Sequence, residues 1–259
     1  MYDIVNVENK DVFLSFYSWE EYKAISQENP ILIIPFGAVE QHGPHLPLLT
    51  DALLGMKFAE AVAVKLNCYV VDSFVYGMRS DLYSGGGEFF PGTRSLRPET
   101  FLMVAMDILE ELHLDGFREF VLLNAHFENA SLLREVSRRH IKAHEEAKIL
   151  LTNWWDIPPR EKTLSFFPKE FPGMDLEHAG LLETSLMLHC FPELVKQIEN
   201  FPSELASPPG YELYPEELNK VPKSGALAPA TSATSSIGSE IFSLVVSHLV
   251  KAIKVNFGD

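Results

Sequence analysis

Cysteine is scarce in this sequence, and its scarcity excludes a disulfide-stabilised fold. The chain of 259 residues has only Cys68 and Cys190, too few for the framework of a small secreted domain. Neither has a Cys or His at ligand spacing, so we predict that both are buried apolar residues in a reducing compartment. The first residues show neither the basic nor the apolar region of a secretory signal peptide. We therefore expect a cytoplasmic protein.

Basic side chains are also in short supply. There are 21 Lys and Arg against 36 Asp and Glu, which gives a formal charge of −15. Binding to nucleic acid or to an anionic membrane requires a basic surface, so we expect neither partner. No uninterrupted apolar run reaches the length of a bilayer span. Without repeats or a break in composition, residues 1–259 are predicted to form a single domain that acts on a small molecule.

Potential metal ligands follow the first predicted strand. The run Ile31–Ile34 is apolar and β-branched, as expected of a buried strand, and Pro35 and Gly37 end it. Glu40 and His42 come next and project to the same side of an extended chain, and Asp51 lies a few residues beyond. For this stretch alone, a polar loop with a capping Asp is an equally good interpretation.

A second stretch has the same pattern in reverse. The predicted strand Glu119–Leu123 is followed by His126 and Glu128. Because ligands bind beyond the carboxyl ends of the strands in an α/β sheet, we expect both pairs at one edge. Carboxylates and imidazoles suit Zn²⁺ or Mn²⁺. Five ligands exceed the need of one cation, which favours a two-metal site with Asp51 as the bridge.

The remaining pattern alternates strands and helices, which predicts an α/β fold with a mostly parallel sheet. Further strands are expected at Cys68–Asp72 and Lys148–Asn153. The predicted helices are a short one after Ser18, then Asp51–Leu66, Arg97–His113, Glu128–Glu145, Glu177–Cys190 and Ile237–Val255. Pro158–Gly173 is predicted to be a loop or lid, and Phe201–Ala233 a surface arm that an oligomer would order.

Four segments resemble the creatininase (creatinine amidohydrolase) family in order and spacing: PFGAVEQHGPHLPLLTD, SGGGEFFPGT, LLNAHFENA and DLEHAGLLETSLML. The similarity runs from about Phe13 to the C-terminal helix. It implies a three-layer α/β/α sandwich, a homohexamer and two divalent ions per subunit, Zn²⁺ or Mn²⁺. One ion would be held by Glu40, Asp51 and His126, and the other by His42, Asp51 and Glu128.

The resemblance also implies roles for other residues. His178 matches the catalytic histidine, whose ordinary pKa suits both proton steps of amide hydrolysis, and Glu128 is assigned to catalysis as well as to metal binding. Glu183 is a candidate to orient His178, and Asp175 to hydrogen-bond substrate or cap the helix. Ser84 and Trp155 match substrate-contacting positions. The glycines after Ser84 lack the Lys-Ser/Thr of a P-loop, so they are expected to permit close approach of the backbone.

Two positions depart from creatininase itself. Met174 stands where the family has a bulky flap tryptophan, and Phe127 where it has a substrate-contacting tyrosine. We therefore expect a hydrolase of a cyclic amide or related C–N bond with little activity on creatinine. The alternatives are a deformylase of an N-formylated pyrimidine, a hydrolase of a cyclic diketone, or a non-catalytic metal-binding assembly subunit, which would have no need of His178.

The other histidines show no ligand pattern in the sequence. His45 has no carboxylate partner and is placed outside the metal site. The rest lie in predicted helices and are interpreted as structural or solvated: His113, His140, His144, His189 and His248.

Overall fold

The computed structural model describes residues 9–168, 171–196 and 199–258. Its strands are β1 (Leu32–Phe36), β2 (Tyr69–Val70), β3 (Glu119–Asn124) and β4 (Lys148–Asn153). The α-helices are α1 (Trp19–Gln27), α2 (Thr50–Leu66), α3 (Pro98–Leu114), α4 (Asn129–Ala143), α5 (Arg160–Leu164), α6 (Leu181–Cys190) and α7 (Ser235–Phe257). Short 3₁₀ turns cover Lys10–Val12, Leu14–Phe16, Pro192–Leu194 and Leu218–Lys220. All four predicted strands are present, and their boundaries differ from the prediction by at most two residues.

The strands form one parallel sheet in the order β2–β1–β3–β4. Every residue of β1 is buried, and so are five of the six residues of β3. Strands covered on both faces need a continuous apolar run rather than alternating apolar and polar residues. The sequences of β1 and β3 both contain such a run. The parallel direction brings the carboxyl ends of β1, β3 and β4 to the same edge.

Two hydrophobic cores separate the molecule into three layers. Val121 and Leu123 of β3 pack with α2, α6 and α7 on one face of the sheet. Phe120 and Leu122 point to the other face and pack with α3 and α4, as the two-residue period of a strand requires. The α/β/α sandwich with a parallel sheet is therefore confirmed.

Helix α6 begins later than predicted. The sequence suggested a start at Glu177, but the helix starts at Leu181 because Ala179 adopts a left-handed φ of 52°. The Glu177 carboxylate accepts a hydrogen bond from the backbone N–H of Leu182, and Glu183 accepts one from Ala179 at 2.7 Å. These bonds satisfy N–H groups that a helix start leaves free. His178 therefore lies in a turn and not on a helix.

Helix α7 corrects the expectation that no segment is long and apolar enough to cross a membrane. It has 23 residues with a mean hydropathy of 1.3 over its most apolar window, which meets that criterion by length and composition. A third of the window is buried, and Ile241, Val245 and Leu249 belong to the core shared with α2 and α6. The helix therefore serves as a packing element of the sandwich.

The two irregular segments agree in outline with their prediction. The Pro158–Gly173 segment contains the short helix α5, and its residues 169 and 170 lie outside the described residues. The Phe201–Ala233 arm has a single 3₁₀ turn in its course. Cys68 is buried and Cys190 half-buried, and both are free thiols.

Candidate metal centre

The loops at the carboxyl edge of the sheet bring the five predicted ligands together. Glu40 and His42 follow β1, Asp51 lies in the first turn of α2, and His126 and Glu128 follow β3, with Glu128 as the N-cap residue of α4. Glu40, His42, Asp51 and His126 are all buried. The sequence pattern predicted this meeting because each pair lies only a few residues beyond a strand.

Asp51 lies at the middle of the cluster. Its Oδ1 is 2.9 Å from Nε2 of His42, and its Oδ2 is 3.1 Å from Nδ1 of His126. The same His126 nitrogen is 3.3 Å from Oε2 of Glu40. One carboxylate thus presents each oxygen to a different imidazole, which is the arrangement that a residue shared between two cations needs.

Hydrogen bonds fix both imidazoles in orientations that suit metal ligands. Nδ1 of His42 donates to the backbone carbonyl of Glu40 at 3.0 Å, which leaves Nε2 free to face Asp51. Nε2 of His126 lies 3.0 Å from the carbonyl of Met78, which leaves Nδ1 facing Glu40 and Asp51. Metal-binding histidines characteristically donate their other ring N–H to a carbonyl or carboxylate.

Several buried polar atoms in this cluster have no hydrogen-bond partner. They are Oε1 of Glu40, Nε2 of His42 and Oε2 of Glu128. A buried polar atom without a partner is costly, and Nε2 of His42 faces the Asp51 carboxylate, itself an acceptor. Divalent cations would satisfy them, so the residues fit the metal centre that the resemblance implies.

The electrostatics of the cluster also require positive charge. Burial lowers the pKa of His42, but Asp51 and Glu183 raise it, and the net direction is well above the ordinary value. Burial likewise lowers the pKa of His126, and Glu128 and Glu40 raise it to well above the ordinary value. Burial raises the pKa of Glu40 to about 7. Without metal ions, the closely packed carboxylates therefore favour the protonated forms of the neighbouring imidazoles.

The grouping of ligands differs in part from that implied by the resemblance. Glu128 lies with Glu40 and His126, and its Oε2 is 3.1 Å from Nε2 of His126. The carboxylate beside His42 and Asp51 is Glu183, at 3.7 Å from Nε2 of His42. Glu183 therefore contacts His42 and the Ala179 backbone rather than orienting His178. It becomes available as a ligand or as a partner of one.

His178 is buried beside Glu40 and His42, and ligand atoms of the three residues lie within 4.8 Å of one another. Its Nε2 donates to the carbonyl of Gln41 at 2.7 Å, so the opposite nitrogen, Nδ1, is the free base, at 3.8 Å from Oε2 of Glu40. Burial, followed by His42, lowers the pKa of His178 to well below its ordinary value. The ordinary pKa that was expected for this residue is therefore not found, because its buried surroundings favour the neutral imidazole.

Gln41 is a functional residue that the sequence did not identify. Its amide N–H₂ donates to the carbonyls of Gly85 and Gly225 at 2.9 and 2.8 Å, and its Oε1 accepts from Gly43 at 2.9 Å. These bonds fix the loop around Gln41, whose backbone carbonyl accepts the hydrogen bond from His178. Its position between two ligands, on the opposite side of the chain, is the one signal that could have revealed it.

The cluster opens into a small pocket of about 30 Å³. Ser84, Phe127, Trp155, Met174, His178 and Glu177 are among the residues that line it. The Ser84 hydroxyl donates to Glu128 at 2.5 Å. A Cβ on the following Gly85 would lie 2.0 Å from Oε1 of Glu40, so this glycine permits the close approach that was predicted.

Aromatic side chains and carboxylates share the pocket wall, and one predicted contact is absent from it. Phe127 stacks on Trp155 with ring centroids 5.9 Å apart and an interplanar angle of 21°. Asp175 is exposed and does not line the pocket, and it cannot cap α6, which starts at Leu181. Glu177 lines the pocket instead, as a buried carboxyl that was predicted only as the first residue of a helix.

A sequence model of the creatininase family, described as creatinine amidohydrolase, matches residues 15–253. The chain is 33% identical to the creatinine amidohydrolase of Pseudomonas putida over 96% of its own length and 98% of that protein. It is 29% identical to the 3-dehydro-scyllo-inosose hydrolase of Thermotoga maritima, over 72% of its length and 58% of that protein. The mycofactocin precursor peptide peptidase of Mycobacterium tuberculosis is 28% identical, over 87% of this chain and 85% of that protein.

Solved structures agree with the sequence relatives. A crystal structure of creatininase superposes with a TM-score of 0.92 and 32% identity, over 96% of this chain and 98% of that one. A manganese form of creatininase matches with a TM-score of 0.89, and a variant of Zn–Zn type with 0.90. This chain belongs to the creatininase family of hydrolases.

Proposed function

We propose that the protein is a metal-dependent hydrolase of the C–N bond in a cyclic amide or a related compound. The observation that carries the proposal is the Asp51 carboxylate, with one oxygen on His42 and the other on His126. Two divalent ions, Zn²⁺ or Mn²⁺, would lower the pKa of a water molecule and polarise a carbonyl group. The manganese and Zn–Zn forms of creatininase support this choice of metals.

Residues of the chain would bind the metal ions, transfer the proton and position the imidazole that transfers it. Glu40, His42, Asp51, His126 and Glu128 would hold the ions. Nδ1 of His178 accepts a proton during attack on the carbonyl and returns it to the leaving nitrogen, a role worth about 10²–10⁴-fold in rate. Gln41 holds that imidazole in place through its backbone carbonyl.

The lining of the pocket argues against creatinine as the best substrate. Phe127 offers no hydroxyl to a ligand, and Met174 is a flexible thioether where a rigid indole would stack on a small ring. Phe127 instead stacks on the Trp155 ring in the pocket lining. A site without the tyrosine hydroxyl and the flap indole should hold a small planar ring less well, which favours a compound that is larger or less planar than creatinine.

A second candidate is hydrolysis of a different bond by the same centre. The relatives are described as hydrolases or peptidases of creatinine, of an inosose and of a peptide, so family membership alone leaves the substrate open. A deformylase of an N-formylated pyrimidine and a hydrolase of a cyclic diketone both fit a centre that polarises a carbonyl. A non-catalytic assembly subunit fits less well, because His178 lines the pocket beside the ligands.

Steady-state kinetics with added Mn²⁺ or Zn²⁺ test the proposal. We expect better kcat/KM on a larger cyclic amide or N-formyl compound than on creatinine. The Phe127→Tyr, Met174→Trp double variant should gain about 5–150-fold on creatinine, equivalent to one hydrogen bond of 1–3 kcal/mol. Phe89→Tyr, at an exposed ring outside the pocket lining, is the matched control. If creatinine is the best substrate of the wild-type protein, the pocket argument is wrong.

A further inference from the structure

Three histidines meet at the edge of the sheet opposite the candidate metal centre. His113 lies in the last turn of α3, His140 in the last turn of α4, and His144 is the C-cap residue of α4. Helix α4 begins beside the metal centre at Glu128, and at 1.5 Å per residue His140 lies about 18 Å further along its axis. His140 and His144 are four apart and share a helix face, whereas His113 reaches them only through the packing of α3 on α4.

The three rings form one contiguous cluster. His113 stacks on His144 with centroids 3.8 Å apart, and His140 is 4.8 Å from His144 and 5.4 Å from His113. Each residue offers a ring nitrogen, and these nitrogens all lie within 4.8 Å of one another. The nitrogens around a tetrahedral zinc are about 3.3 Å apart, so a modest rotation of the half-buried His144 ring is the adjustment required.

Unsatisfied nitrogens mark the cluster as more than packed imidazoles. His140 is fully buried, and neither of its ring nitrogens has a hydrogen-bond partner. Nδ1 of His113 is also buried without a partner. A neutral imidazole carries one lone pair and one N–H, so leaving both unmet in the interior is costly. Burial lowers the pKa of His140 to about 4, which keeps its lone pair free.

Two carboxylates hold the outer nitrogens. Nε2 of His113 is 3.0 Å from Oε1 of Glu146, and Nε2 of His144 is 2.7 Å from Oε2 of Glu110. Because a carboxylate accepts hydrogen bonds, Nε2 carries the N–H in both rings. The lone pair is then on Nδ1, which faces away from the carboxylate. A carboxylate behind a histidine is the arrangement that accompanies metal-binding imidazoles.

The charges near the cluster permit a divalent cation. Glu110 and Glu146 contribute two negative charges, and Arg118 contributes one positive charge, with its Nε 3.6 Å from Oε1 of Glu146. Arg118 also donates to the carbonyl of His113. Imidazole nitrogens suit borderline transition metals, whereas Mg²⁺ and Ca²⁺ prefer oxygen.

We propose that His113, His140 and His144 form a mononuclear site for a borderline divalent transition metal such as Zn²⁺, separate from the catalytic centre. The ion links the C-terminal ends of α3 and α4, two helices of the same layer. Its occupancy affects stability and leaves hydrolysis unchanged.

Metal content distinguishes this site from the catalytic centre. Wild-type protein is stripped with EDTA, reloaded with ZnCl₂ and desalted, and its zinc is compared with that of His144→Gln, at the most accessible position of the three. We expect the variant to bind one zinc fewer per chain, to fold normally by circular dichroism and to retain its hydrolytic rate. His248→Gln, at a half-buried position of α7 that belongs to neither site, should match the wild type. Equal zinc content in His144→Gln and wild type would overturn the proposal.

A substitution at Glu110, the carboxylate that contacts His144, tests the site without changing the three histidines. Glu110→Gln should weaken zinc binding at this site by about 10–100-fold, and Glu111→Gln, at the adjacent exposed position, should have no effect. Crystals of wild-type protein soaked in ZnCl₂ should show anomalous density among the three rings. Absence of that density, with zinc present beside Asp51, would identify the cluster as packing alone.

Discussion

At the scale of single residues, His178 shows how a turn can hold an imidazole ready for proton transfer. One nitrogen is committed to the Gln41 carbonyl and the other faces the Glu40 carboxylate. Since burial lowers its pKa, the ring is neutral before substrate binds. A ring nitrogen of His178 also lies within 4.8 Å of ligand atoms of Glu40 and His42, so metal content is the measurement that separates a proton-transfer role from a ligand role.

Replacing His178 should therefore affect turnover alone. We expect His178→Ala to keep the metal content of the wild type while kcat falls by about 10²–10⁴-fold. Inductively coupled plasma mass spectrometry and steady-state kinetics on the same preparation measure both quantities, with His248→Ala as the control. Loss of metal from His178→Ala would place this residue among the ligands.

Glu177 gives a prediction about pH. Burial raises its pKa to about 8 from an ordinary 4.5, so the folded protein holds a proton that the unfolded chain has released. Its contribution to the free energy of unfolding is complete below about pH 4.5 and is lost as the pH rises through 8. The whole effect is on the order of 5 kcal/mol.

The measurement is urea unfolding of metal-free protein between pH 5 and 8.5. Glu177→Gln cannot ionise, so its stability should decline less over this range than that of the wild type. Glu193→Gln, an exposed substitution, should follow the wild-type curve. Identical pH profiles for Glu177→Gln and wild type would show that this carboxyl does not titrate on unfolding.

At the scale of elements, the strands and their ligands were predictable and the turn at α6 was not. Short apolar runs define β1 and β3, and every candidate ligand except Asp51 lies within six residues of a strand end, so local sequence suffices for these four. The start of α6 depends on the left-handed backbone of Ala179, which no local pattern specified. Apolar residues at helical spacing continue through that turn, so the predicted helix began four residues too early.

Contacts between distant parts of the chain explain the other omissions. The Gln41 side chain donates a hydrogen bond to the carbonyl of Gly225, 184 residues away. Local sequence cannot predict a contact between residues so far apart in the chain. Glu183 comes to His42 rather than to His178 because the turn before α6 redirects it. The cluster of His113 with His140 and His144 likewise arises from helix packing.

The contact between α6 and α7 leads to a prediction about stability. Gly238 lies in the first part of α7, and a Cβ there would be 1.9 Å from the carbonyl oxygen of Ser185. Alanine is favoured over glycine in a helix by about 1 kcal/mol, but this clash involves backbone and forces the helices apart. We expect Gly238→Ala to lower the free energy of unfolding by about 1–3 kcal/mol.

Gly210→Ala is the matched control, because a Cβ there meets nothing within 4 Å. Its free energy of unfolding should stay within about 0.5 kcal/mol of the wild type. A stabilised Gly238→Ala protein would mean that α6 and α7 pack less closely than the structure shows.

At the scale of the whole molecule, the Phe201–Ala233 arm presents apolar side chains to solvent. Tyr211 is 68% exposed, Leu213 56% and Tyr214 67%. Contiguous exposed apolar residues are characteristic of an interaction surface. We propose that this arm contributes to the homohexamer implied by the family resemblance, a closed symmetric assembly.

Sedimentation velocity tests the assembly. The wild-type chain should sediment as a hexamer at micromolar concentration, and Leu213→Glu should shift it to smaller species. Lys223→Glu, a change of charge in the same arm, separates loss of apolar contact from added negative charge. A wild-type monomer under these conditions would remove the proposal.

The central claim is that two ions share the Asp51 carboxylate. An anomalous difference map at the zinc or manganese edge tests it most directly, because it separates this centre by position from the histidine cluster of α3 and α4. We predict two peaks beside Asp51 in the wild-type protein, one on the side of His42 and one on the side of His126, and neither in Asp51→Ala. A single peak in the wild type, or two peaks that persist in Asp51→Ala, would contradict the account.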